Sequence, residues 1–428
     1  MRLGGRLQAA IEVLKDIETR KRPAADALKD WGLSHRFAGS GDRAAIGNIV
    51  YDALRRRLSI AYRMGDNSIE KLAFGALMSE GGMNFATLDA ALHDDRFAPE
   101  QLDGDTRNHW QNANLADAAD YIQADIPQWS ITYFRDLFGD SWIKEAAALG
   151  ERPPLDLRVN SLKSNRERVL KELAETHAQP VDWYDEAIRI APIEGLGRHP
   201  NVQAEPAFQK GWFEVQDLGS QIAAHLVDAN GHEQILDYCA GAGGKTMALA
   251  AQMDNRGQIH AYDAEKSRLA PIFDRLRRAG VRNSQAHANL KELTPLKGQM
   301  DCVLVDAPCT GTGTWRRRPD AKWRLTETQL ERRVEEQRQV LDNALEFVKD
   351  NGRLVYITCS LFAPENDEQI TSLLAREPNL QKIDMQDLWQ KRMSAKSPAP
   401  HFSKHGIVLS PKSTQTDGFY ISVLEKKA

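Results

Sequence analysis

The chain reads as an α/β protein: a C-terminal parallel sheet with crossover helices, preceded by a small mixed module and an all-α N-terminal domain. Three observations predict this. No strand-like alternation occurs before about residue 155, whereas apolar residues recur at helical spacing from Leu7 to Ile17 and from Ile46 to Leu58. From Phe213 onward short apolar runs alternate with amphipathic segments, the pattern of strands joined by crossover helices. Two of those runs, Asp301 to Val305 and Leu354 to Ile357, each stop at a turn that carries a cysteine.

The first helix ends at Arg20-Lys21-Arg22, before Pro23. A second runs from a capping region at Ser40 to Asp42 through Leu58, with Arg55-Arg56-Arg57 near its end. Helical patterns follow at Ile69 to Met78, Phe85 to Leu92 and, after a polar stretch at 103–114, Ile131 to Leu137. Residues 1–143 form the all-α domain. Its arginine runs suit either helix C-termini or phosphate groups.

After a linker at Glu151 to Pro154, residues 144–212 carry an alternating strand from Leu155 to Asn160, a helix from near Ser164 and a strand at Ala187 to Ile190. Such a module is often an RNA-facing appendage. Residues 213–428 form the larger α/β domain. Within it, strands are predicted at Gln234 to Tyr238 and Gln258 to Tyr262, and a helix at Ser267 to Ala279 with Pro271 in its first turn. Trp315 to Arg324 interleaves aromatic residues with five cations, a pattern suited to single-stranded nucleic acid rather than a core. A long helix is expected at Leu325 to Asp350 and a last antiparallel strand at Phe419 to Leu424.

A net charge of −4 gives no global signal for nucleic acid, so such a partner needs a local basic patch. Four cysteines with no C-x-x-C spacing argue against a disulfide framework and a structural zinc, so no metal is expected. Met1 to Lys15 lacks the apolar core of a signal peptide, and no run approaches the roughly 18 apolar residues that span a bilayer. A cytoplasmic protein that needs no membrane is the expectation.

Cys302 lies inside a strand and reads as a buried hydrophobe. Cys309 and Cys359 instead follow strand ends. In an open α/β sheet those ends face one crevice, so the two thiols read as a working pair. The loop Cys239-Ala240-Gly241-Ala242-Gly243-Gly244-Lys245-Thr246 follows a strand and opens a helix, which suits a nucleotide-like cofactor. Asp263 falls 19 residues beyond Gly244 at the end of the next strand, where an acid can bind a ribose diol. Cys239 stands where a P-loop needs glycine, and Thr246 where a dinucleotide fingerprint needs its third. That leaves a turn suited to an adenosyl group without a pyrophosphate, as in S-adenosylmethionine. A nicotinamide-dependent oxidoreductase is the competing reading that Thr246 disfavours.

At Asp237 to Thr246, Asp306-Ala-Pro-Cys-Thr-Gly311 and Thr358-Cys-Ser360 with Pro364-Glu365-Asn366, the chain resembles the RsmB/Nop/Sun family of RNA cytosine-C5 methyltransferases. Arg158 to Leu162, Val215 to Gln221 and Asp417 to Tyr420 are similar to further family segments. The resemblance implies a Rossmann-like class I methyltransferase domain, a small α+β RNA-binding subdomain and a NusB-like helical domain. It implies S-adenosylmethionine as cofactor and RNA as partner (ribosomal, with tRNA as the alternative); a monomer is the expectation. By the same resemblance Cys359 is the nucleophile and Cys309 assists product release. Asp306 bonds the N3/N4 edge of cytosine and Lys245 lies near the ring. Cofactor contacts fall to Cys239, Ala240, Gly241, Ala242, Gly243, Gly244, Lys245, Asp263, Asp306 and Asn289. Asn289 stands where the family commonly has an acid, and Ala240-Gly241-Ala242 replaces the usual Ala-Ala-Pro. A non-catalytic RNA-binding assembly factor is the alternative outside enzymology, and it has no use for two thiols.

Overall fold

The computed structural model describes all 428 residues, which divide into two units. The first gathers Met1–Pro153 with two excursions from later in the chain, Pro192–His199 and Thr314–Leu325. Its helices Leu3–Arg20, Ser40–Arg55 and Ile69–Ser79 pack Leu7, Ile11, Leu14, Ile46, Ile49, Val50, Leu72 and Leu77 into one core. Ala24–Ser34, Gly104–Asn112 and Trp142–Ala148 are additional helices, the last crossing residue 143. Asp103 caps Gly104–Asn112 by accepting from Thr106 N at 2.7 Å, a local signal hidden within a polar stretch.

Two sequence expectations fail here for physical reasons. The helix read as continuous from Ser40 to Leu58 breaks at Arg56, and a new one, Arg57–Met64, begins. Fully buried Asp125 takes the N–H groups of Leu58 and Ser59 at 2.8 and 3.0 Å, so a distant carboxylate caps the second helix. The segment Trp315 to Arg324 is not an exposed stacking platform. Trp315 is wholly buried, with Phe134 at 5.9 Å between ring centroids. Trp323 Nε1 and Lys322 Nζ donate to the last carbonyls of Ser40–Arg55, Leu54 O at 2.6 Å and Arg55 O at 2.9 Å. A cation at a helix C-terminus opposes the macrodipole charge, so the basic segment is a helix cap rather than a surface. The arginine run is likewise engaged inside the unit: Arg55 pairs with Asp52, Arg56 with Glu80 and Arg57 with Glu18.

The second unit holds two sheets. Strands β1 (Leu155–Val159), β2 (Gln179–Pro180), β3 (Ala187–Ile190) and β4 (Phe213–Val215) form a small antiparallel sheet in the order β2-β3-β1-β4. Phe213, at the start of the region expected to form the parallel sheet, thus belongs to the small one. Strands β5 (Gln234–Asp237), β6 (Gln258–Tyr262), β7 (Ser284–His287), β8 (Met300–Asp306) and β9 (Val348–Thr358) are parallel, in the order β7-β6-β5-β8-β9. Antiparallel β13 (Phe419–Lys426) continues from β9, flanked by β10 (Leu380–Lys382), β12 (Ile407–Leu409) and then β11 (His401–Phe402).

Cys302 to Val305 and Leu354 to Ile357 are completely buried, as expected of parallel strands covered on both faces. The helix expected at Leu325 to Asp350 spans Glu327–Leu345, because β9 already begins at Val348. The helix expected at Ser267 to Ala279 is split into Lys266–Leu269 and Ile272–Ala279, with Pro271 at the second N-cap. Chain progression reverses direction between β5 and β8, so the ligand crevice of an open sheet lies at their C-terminal ends. No helix of the chain is long and apolar enough to cross a membrane.

Candidate active site

The glycine turn leaves β5 at Asp237 and feeds the helix Gly244–Gln252. Gly241 and Gly243 take positive φ values of +50° and +79°, and a Cβ at Gly243 would lie 2.5 Å from Ile272 Cγ1. Asp263, at the end of β6, is folded against the turn. Its two oxygens accept from Gly241 N and Glu265 N, both at 2.9 Å. Asn289 follows β7 and is exposed, its side chain capping the next turn at Lys291 N, 3.0 Å.

A cavity of about 200 Å³ opens beside this turn, lined among others by Gln216, Asp237, Cys239, Gly244, Lys245 and Asp306. Asp237 heads a motif that carries the resemblance but has no role assigned from sequence, although an acid ending the strand before a glycine turn is a usable signal. It is completely buried; Oδ2 accepts from Thr246 Oγ1 at 2.7 Å, and Oδ1 has no hydrogen-bond partner. Burial pushes its carboxyl up to about 7, against the Thr246 bond. The orphaned carboxylate oxygen of Asp237 and the bare backbone at Gly244 line the cavity and fit an amino acid group bearing an ammonium, and Asp263 stands behind the turn at the end of the next strand. Burial pushes the Cys239 thiol well up, so it lines the cavity as a neutral side chain.

Lys245 joins this turn to the cysteine loops. From the first turn of its helix it donates to Asp306 Oδ2 at 2.6 Å, and it is 7% exposed against 34% for Asp306. Asp306 ends β8, level with Ile357 of β9, so the two following loops start side by side. They bring Cys309 Sγ within 3.3 Å of Cys359 Sγ, both half-buried. The hydrogen bond to Cys359 pushes the Cys309 thiol well up, with burial and the nearby Glu365 charge acting in the same direction. Cys302 lies buried in mid-strand, as expected.

Glu365 and Asn366, quoted in a motif but given no role from sequence, hold the loops. Glu365 is completely buried and accepts from Thr310 N at 2.8 Å and Gln337 Nε2 at 2.9 Å, and also from the hydroxyls of Thr310 and Ser360. Asn366 accepts from Thr358 Oγ1 at 2.6 Å and donates to Ser360 O at 2.9 Å. Arg275 and Arg278 both grip buried Glu214. No cluster of three or more His, Cys, Asp or Glu suited to a metal ion occurs.

The family model "16S rRNA methyltransferase RsmB/F" matches residues 224–425, and the model of the family's ferredoxin-like domain matches residues 126–193. Ribosomal RNA small subunit methyltransferase B of Enterobacter sp. is 33% identical over 274 residues, 63% of this chain and 62% of that protein. The chain spans slightly less than two thirds of the length of the curated relatives it matches. The crystal structure of NSun6 from Pyrococcus horikoshii with SFG covers 72% of this chain and 100% of its own, at 22% identity and a TM-score of 0.61. A methyltransferase homolog protein from the same organism is 26% identical, covers 72% of this chain and 97% of its own, and has a TM-score of 0.59. By its glycine turn, its two cysteine loops and both family matches, the chain belongs to the RsmB/F family of S-adenosylmethionine-dependent methyltransferases.

Proposed function

We propose that the protein methylates carbon 5 of a cytosine in ribosomal RNA of the small subunit, through a covalent adduct of Cys359. The observation that carries this reading is the pair of thiols 3.3 Å apart, joined to the glycine turn through the Lys245–Asp306 contact. Relatives named for small-subunit rRNA methylation support the substrate class.

S-adenosylmethionine, when bound, supplies an electrophilic sulfonium methyl group. Gly241, Gly243 and Asp263 would hold its adenosyl part, and Asp237 its ammonium group. Carbon 5 of cytosine is too weak a nucleophile to accept that methyl directly. The Cys359 thiolate adds to carbon 6, the carbon 5–carbon 6 double bond opens, and its electron pair makes carbon 5 nucleophilic. Asp306, paired with Lys245, accepts from the N4 amino group, and N3 takes up a proton as the adduct forms, which neutralises the charge the thiolate brings to the ring. While Cys359 is a thiolate, Cys309 keeps its proton and donates it to that sulfur. Once Cys359 has become a thioether and carbon 5 has taken up the methyl group, the negative charge beside Cys309 is gone, and Cys309 can give up its own proton to solvent. It then acts as the base that removes the carbon 5 proton, and the returning electron pair re-forms the double bond and expels Cys359.

The test is methyl transfer to small-subunit rRNA and, in parallel, to tRNA transcripts, with the product read by bisulfite sequencing. The wild-type protein should protect one cytosine of the rRNA, and Cys359→Ala should protect none. Protection that survives Cys359→Ala refutes the nucleophile, and protection of tRNA alone refutes the substrate.

A further inference from the structure

Each cysteine is bracketed by residues with a fixed partner. On the Cys309 side, Pro308 O accepts from Gln337 Nε2 at 2.9 Å, and Thr310 donates twice to Glu365. On the Cys359 side, Thr358 donates to Asn366, and Ser360 donates through its hydroxyl to Glu365. One carboxylate therefore holds the residue after each thiol, although the two loops are 50 positions apart in the chain. The Glu365 backbone carbonyl is pinned as well, accepting from the Tyr356 hydroxyl at 2.7 Å. Two oxygens that receive four donors have no lone pair left for substrate.

We infer that Glu365 is the positioning residue of the two-thiol reaction: it sets the distance between the Cys309 and Cys359 sulfurs by tying both loops to one buried carboxylate. This rests on the two-thiol reading above. Glu365 touches neither sulfur and acts through Thr310 and Ser360. Burial raises the Glu365 carboxyl, and its four donors act against that rise by favouring the ionised form, whose charge stands behind Cys309 and favours the protonated thiol. The same carboxylate thereby keeps the two thiols unequal, one holding a proton and one free to attack.

Glu365→Gln keeps the shape and removes the charge, while Glu365→Asp keeps the charge and shortens the reach. Glu365→Gln should lower kcat at least about tenfold, with KM for S-adenosylmethionine within about twofold. Its pH–rate limb belonging to Cys309 should move to lower pH, because the charge that opposes thiol ionisation is gone. A second readout needs neither RNA nor cofactor. Diamide, an azo oxidant that takes up two hydrogens, should join the wild-type sulfurs into a disulfide, scored by mass, at least about ten times faster than it joins those of Glu365→Asp. Wild-type kcat and an unmoved pH limb in Glu365→Gln, or equal diamide rates in Glu365→Asp, would overturn the inference. Failure of wild-type protein to methylate cytosine would overturn the two-thiol reading alone, since the diamide comparison still reads the loop tie.

Discussion

Asp237 lies at the cofactor cavity with one oxygen bonded to Thr246 and the other without a donor. Its folded carboxyl, raised to about 7, holds a proton that the unfolded chain has already lost. Its contribution to stability is therefore complete below about pH 4 and disappears as pH rises through 7. Urea unfolding of the cofactor-free protein should show a component that declines across that window and is missing in Asp237→Asn. An identical slope in both proteins would contradict it. The two thiols were legible from sequence because the end of a parallel strand is a local feature that fixes where the next residue faces. Glu365 was not, since its donors come from positions 55 and 28 residues away. The turn after β7 placed Asn289 by counting alone, and its side chain serves its own local cap.

At the scale of elements, the segment Trp315 to Arg324 shows how composition misleads when a helix end needs donors. Lys322 is 1% exposed, and burial lowers its ammonium to about 7. The folded lysine thus loses its proton well before the unfolded one, so stability should rise between pH 7 and about 10. Lys322→Met should flatten that rise in a calorimetric series, and a rise of equal size in the variant would contradict it. Trp315→Ala removes a wholly buried indole and should cost about 3–5 kcal/mol of stability, measured by denaturant titration. Neither role could be read from a window of sequence, because Trp323 and Lys322 bond carbonyls 269 and 267 positions away. The strands of the parallel sheet, by contrast, announce themselves through uninterrupted apolar runs, and β5, β6, β8 and β9 fall where those runs lie.

For the whole molecule, the helical unit is assembled from three separate stretches, so it is not a simple N-terminal attachment. A chain truncated to begin at Pro154 keeps Trp315, Lys322 and Trp323 but loses Phe134 and the carbonyls of Leu54 and Arg55 that they meet. It should unfold at a lower temperature than the full chain and bind hydrophobic dye, whereas an unchanged Tm would show that the excursion is dispensable. The α, mixed and α/β order was legible because helical and strand periodicity change at recognisable places. The interleaving was not, because nothing in a linear pattern shows that residues 192–199 and 314–325 return to an earlier unit.

The most direct measurement is the intact mass of Cys309→Ala incubated with substrate rRNA and S-adenosylmethionine, resolved under denaturing conditions and mapped after nuclease and protease digestion. A stable adduct of a methylated cytosine on Cys359 is expected, which the missing thiol cannot release. Turnover without an adduct, or an adduct on any residue other than Cys359, would contradict it.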